Sequence, residues 1–152
     1  MIGARQPRWP RIAMIALAVI AGVSGCSKPA STEDETTTDL RQIARAYDLV
    51  LAEKRRPPRD LAEIEKVLTE LHAANLNPPA KDVLTSSRDN EPYVVIMGAN
   101  LGATKSSEIL AYEKRGAEGK RYVLMMSYDV EQLSDEEFAQ ATFAMGNKPS
   151  AN

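Results

Sequence analysis

Ile109-Leu-Ala-Tyr-Glu-Lys-Arg-Gly-Ala-Glu-Gly-Lys-Arg-Tyr-Val-Leu-Met-Met126 is the stretch on which the fold turns. Apolar runs at Ile109 to Glu113 and Tyr122 to Met126 flank the polar loop from Lys114 to Lys120, which carries Gly116 and Gly119. Runs of that length and composition predict strands, and a glycine-containing polar loop between them predicts a hairpin. A connection this short forces the strands antiparallel, because a parallel pair needs a crossover of a dozen residues or more.

The pattern extends in both directions. Upstream, Tyr93 to Met97 follows Pro92 and reads as a strand ended at Gly98; downstream, Val130 to Leu133 reads as a short fourth strand returning through a turn near Ser127 to Asp129. Before the strands the period changes to three and four. Leu40, Ile43, Ala44, Tyr47, Val50 and Leu51 fall on one face of a helix, with Asp39 and Gln42 as a capping box and Lys54, Arg55 and Arg56 complementing the dipole of its last turn. Pro57 and Pro58 stop it. Asp60 and Glu63 open a second helix through Leu61, Ile64, Val67, Leu68 and Leu71 to about Asn75, where Asn77-Pro78-Pro79 ends it. Ser134 and Glu137 open a last helix through Phe138, Ala141, Thr142 and Met145, closed by Gly146. The expected fold is therefore α+β, with N-terminal amphipathic helices packed on a three- to four-stranded antiparallel meander and a C-terminal helix. The domain is expected at residues 39–146, with residues 147–152 as a disordered tail.

The amino terminus carries a different signal. Arg5, Arg8 and Arg11 precede a charge-free apolar run from Ile12 to Val23, which is too short for a comfortable span of about 20 residues. Ser24, Gly25 and Cys26 follow, and Cys26 is the chain's only cysteine. This order resembles the lipobox of bacterial lipoproteins, with Val23 standing where Leu is usual. The resemblance implies a signal peptide at residues 1–25, cleavage between Gly25 and Cys26, and a diacylglyceryl group on the Cys26 sulfur. Acylation of the new amino terminus would follow. Residues 26–38 then form the lipidated Cys and a polar tether, since SKPASTEDETTT offers no large apolar side chain. The expected location is a bacterial cell envelope, lipid-anchored and facing the periplasm or exterior. Ser27 in place of Asp favours the outer membrane in the sorting pattern of some diderm bacteria.

Removing residues 1–25 from the 152 leaves 127, enough for one domain with a single core. The removed part holds three Arg and no acid, so the formal charge moves from −2 to −5, which argues against nucleic acid as a partner. With its one Cys committed to lipid, the chain cannot form an internal disulfide and must be stabilised by packing.

No reaction centre is legible. His72 is the only histidine and has no Cys, His or acidic partner at ligand spacing, so neither a triad base nor a metal site is indicated. Glu33, Asp34 and Glu35 read as solvated charge, and Gly119-Lys120 lacks the remaining residues of a phosphate loop. Asp135, Glu136 and Glu137 fit the first turn of a helix better than an acid/base pair, and Met125 and Met126 fit a strand better than a metal site. No catalytic residue, metal or cofactor is expected.

The blocks PYVVIMGA, EILAYEKRGAEGKRYVLMM and VEQLSDEEFAQ resemble small bacterial envelope proteins whose globular part is related to type II secretion pseudopilins. So do Ile43-Ala44-Arg45-Ala46-Tyr47 and the Pro57-Pro58 pair followed by Leu61, which match elements preceding the sheet in that group. The resemblance spans about residues 39 to 145. Pseudopilins assemble through a continuous apolar helix behind a prepilin leader, and here a lipobox and a polar tether stand in that place. Their last hairpin usually turns at Asp-Gly, where this chain has Ser127-Tyr128-Asp129. The expectation is a non-enzymatic, lipid-anchored envelope protein whose domain binds a protein or cell-wall partner. Two alternatives stay open: an envelope hydrolase using a carboxylate pair, which needs two acids with raised pKa in a concave pocket, and a small-ligand module, which needs an apolar cavity between helices and sheet.

Overall fold

A computed structural model describes residues 32–100, 106–147 and 149. The chain is α+β, with helices, then a four-stranded antiparallel sheet, then a C-terminal helix. Helix α1 spans Thr32–Lys54, α2 spans Leu61–Ala73 and a single turn, α3, spans Ala80–Val83. The strands are β1 (Val94–Val95), β2 (Ile109–Tyr112), β3 (Lys120–Met125) and β4 (Val130–Ser134), in the spatial order β1-β2-β3-β4. Helix α4 (Asp135–Gln140) and a 3₁₀ turn (Ala144–Gly146) close the chain.

The sheet forms where the alternation predicts it. Strand β3 pairs with β4 through five successive residues, from Lys120 opposite Ser134 to Leu124 opposite Val130. β2 pairs with β3 through an irregularity between Ile109 and Ala111, which adds local twist. The β2–β3 loop depends on Gly116. Its φ is +72°, and a Cβ there would overlap the Lys120 carbonyl oxygen, so only glycine fits.

Helix α1 supplies much of the core. Leu40, Ile43, Ala46, Tyr47 and Val50 are buried against α2 and the sheet, together with Ile64 and Leu68 of α2. The Tyr47 hydroxyl donates to the Ala99 carbonyl at 3.0 Å and accepts from the Ala99 N–H at 2.8 Å. Gly98 N–H donates to the Pro58 carbonyl at 3.0 Å. The Tyr of the Ile-Ala-x-Ala-Tyr pattern and the Pro-Pro pair thus fasten the same short segment after β1. Both faces of the sheet are covered at β2, where all four residues are buried.

Three expectations are corrected. The polar tether does not run to Thr38, because α1 begins at Thr32, within the stretch read as tether. Thr36 is fully buried one turn before Leu40, on the stripe that continues to Ile43 and Tyr47, and its methyl group does the work of an apolar residue there. Asp39 accordingly lies inside the helix and cannot be its cap. The final helix stops at Gln140 and does not reach Met145. Ala141 is extended, the Thr142 carbonyl accepts from Ile109 N–H at 2.9 Å, and Phe143 turns inward, so a sheet contact outcompetes further helix. The turn at Ser127-Tyr128-Asp129 has a positive φ of +72° at Tyr128, a conformation that favours glycine. It is held by Tyr128 Oη donating to Asp48 Oδ1 of α1 at 3.0 Å and by Ser127 Oγ donating to Asp129 Oδ2 at 2.7 Å.

Candidate functional site

A concavity lies on the side of the sheet that faces α4. It is a cleft of about 900 Å³ bounded by Val94, Tyr112, α4 and the segment from Ala141 to Asn147. Its floor is a cluster of three rings. Tyr112, Phe138 and Phe143 meet edge to face, with centroids 5.0, 5.6 and 5.2 Å apart, the arrangement their quadrupoles favour. Burial raises the Tyr112 phenol above its ordinary range, while the nearby Arg121 charge opposes that shift.

Charged groups ring this floor. The Arg121 guanidinium stacks 4.6 Å over Phe138, donates from Nη1 to the Lys114 carbonyl at 2.7 Å and from Nε to Asp135 Oδ1 at 3.2 Å. Lys114, whose ammonium reaches Glu91 at 3.2 Å, and Glu108 complete the rim. Two cations and two carboxylates therefore face one opening. Asp135 belongs to α4, whose first turn is capped by Ser134 and Glu137 in the reciprocal bonds expected from sequence. The Ser134 N–H bond comes first in holding the Glu137 carboxyl below its usual range.

A second polar assembly is buried and structural. Glu113 is fully buried, accepting from Ser86 Oγ at 2.8 Å on one oxygen, and from Arg88 Nη1 and Tyr122 N–H, both at 2.7 Å, on the other. Arg88 also donates to the Ala117 carbonyl and lies over the Tyr122 ring at 4.8 Å. Both carboxylate oxygens are thus hydrogen-bonded, three bonds in all, which is what makes such a pair tolerable away from water. Asp89 accepts from Arg115 N–H and Gly116 N–H, tying the same loop to the β2–β3 hairpin.

Next to this assembly Tyr93 is buried beneath α1. Burial pushes its phenol above the usual range, with Asp39 and Glu113 adding and the Thr36 and Ser86 hydroxyls opposing. Asp39 is the one acid displaced upward among those with a resolved shift. Burial first, then Glu35 and then Asp82 of α3 raise it to about 7. Glu63 moves the other way, held far below the carboxylate range by Arg56, then Lys54, then the Arg59 N–H. Lys54 and Arg56 are therefore partners of α2 more than of the α1 dipole.

Cys26 and Gly25, the residues singled out for lipidation and cleavage, lie outside the described residues, as do residues 1–25, read from sequence as a signal peptide, and most of the tail. His72 is exposed, its Nδ1 2.9 Å from the Asn77 carbonyl. Met125 is buried and Met126 partly so. Among the described residues there is no cluster of three metal-ligating side chains and no helix long and apolar enough to cross a membrane. The cleft was not legible beforehand, since its members come from β1, β2, β3, the loops and α4. The one available signal was the spacing of Phe138 and Phe143, which does not suit a single helical face. No family model, no curated protein and no solved structure matches this chain.

Proposed function

We propose that the chain is a non-enzymatic lipoprotein of a bacterial cell envelope, attached to a membrane through lipid on Cys26, whose α+β domain binds a protein partner. The observation that carries the binding reading is the cleft, where an aromatic floor is framed by Lys114, Arg121, Glu108 and Asp135. An apolar base with a few charged groups at its edge is the usual composition of a recognition surface. One of its two carboxylates, Asp135, lies 3.2 Å from the Arg121 guanidinium. The helix-then-meander order supports the likeness to pseudopilin-related envelope proteins at the level of architecture, and architecture alone does not fix a role.

A photo-crosslinking residue at Ala139, on the cleft wall, tests the reading in native envelopes. A defined protein captured with Arg121 present and lost in Arg121→Glu is the expected result. Capture of murein glycan alone would transfer the reading to a cell-wall partner, and equal capture by both forms would remove the cleft from it. The volume favours one second reading, a small-ligand site, since pockets of about 300–1,000 Å³ suit such molecules. In that case an organic solute extracted with the purified domain would occupy the cleft and block crosslinking.

A further inference from the structure

We propose that the outer edge of β4 accepts an extended, basic segment of a partner protein as an added strand. This surface is distinct from the cleft and shares with the reading above only the premise that the partner is a protein.

The geometry follows from the parity of the β3–β4 ladder. Met125 N–H donates to the Asp129 carbonyl at 2.8 Å and Asp135 N–H to the Gly119 carbonyl at 3.1 Å, which marks both pairs as hydrogen-bonded. Antiparallel ladders alternate, so Glu131 and Leu133 also aim their backbone groups at β3. Val130 and Gln132 aim theirs the other way. Ser134, third in that outward row, is already used, because its N–H donates to Glu137 Oε2 at 2.8 Å in the cap of α4. The N–H and C=O of Val130 and Gln132 remain, with no hydrogen bond to any described residue.

Edges are ordinarily blunted by shortness, proline, charged side chains, lysine above all, or a bulge. Strand β1 at the opposite margin is only two residues long. Strand β4 has five residues, no proline, no lysine and no break in register with β3. What it does have is acid: Glu131 on the strand and Asp129 in the turn before it, with no basic residue from 127 to 137. The same acids select the occupant. Two copies of this edge would bring like charges together, whereas a strand bearing Lys or Arg at alternate positions would gain cross-strand pairs while completing the outward hydrogen bonds.

Amide hydrogen exchange on the labelled full-length chain in detergent micelles tests this with two probes, a short peptide of alternating Lys and Val and its counterpart of alternating Glu and Val. The Lys/Val peptide should slow exchange at Val130 and Gln132 by about tenfold, and the Glu/Val peptide should leave them unchanged. Gln132→Pro removes an outward donor at a position where an edge strand tolerates proline and should abolish the protection. Glu131→Lys, which leaves the backbone intact, should weaken the Lys/Val effect and admit the Glu/Val peptide. Absence of protection, equal protection by both peptides, protection confined to β1 or the cleft, or self-association of the chain through β4 would each overturn the proposal. Loss of crosslinking from Ala139 would leave it standing.

Discussion

Two acids in this domain show how surroundings decide what a carboxylate does. Asp39 is raised to about 7 by burial and by Glu35 and Asp82, so between pH 3.8 and about 7 the folded chain holds a proton that the unfolded chain has lost. Stability from this group therefore falls as pH rises through that window and stays low above it. Asp39→Asn should raise the urea midpoint at about pH 8 and leave it nearly unchanged at about pH 4, which paired denaturation curves would read directly. Glu63 has the opposite sign: its stabilising effect is full above the ordinary carboxylate value of 4.5 and is lost progressively as pH falls below it. Glu113 is a third case, a buried charge whose partner is 7% exposed at most. Arg88→Met should cost about 3–5 kcal/mol by leaving Glu113 unpaired, and adding Glu113→Gln should recover part of that loss. Additive losses in the double variant would show that the pair is not coupled. Neither Asp39 nor Glu113 could be ranked from sequence, because the first is set mainly by burial and the second by Ser86 and Arg88, far along the chain.

At the scale of elements, the hairpin and the caps were legible and the helix ends were not. Gly116, Ser134 with Glu137 and Asp60 each act through neighbours a few residues away, so local pattern is sufficient to find them. The start of α1 fails that test. Its first turns are Thr and acid, and Thr36 is recognisable as core only once the rest of the molecule closes over it. Thr36→Asp should therefore cost about 2–4 kcal/mol by burying an unpaired charge, while Thr36→Val should be tolerated. A tether would make both variants silent in a thermal or urea melt. The C-terminal helix ends early for a similar reason, since Thr142 and Phe143 find better partners in Ile109 and Tyr112 than in another helical turn.

For the whole molecule, the proposed address and the proposed binding role rest on separate parts of the chain. Under the lipoprotein reading, Cys26→Ser should leave the precursor at its unprocessed mass without incorporated palmitate, as mass spectrometry and acyl labelling would report; normal processing would overturn it. The domain itself offers the aromatic cleft beside α4 and, as proposed, the acidic edge of β4. Sequence alone determined the α+β class, the antiparallel meander and the candidate lipidation point, because period, turn residues and an apolar run followed by Cys are properties of neighbours along the chain. Tertiary structure alone decided which polar groups are buried, where α1 begins and α4 stops, and that Tyr112, Phe138 and Phe143 meet Arg121 around one opening. Those facts depend on energies of contact between residues far apart in sequence, where desolvation and packing override local preference.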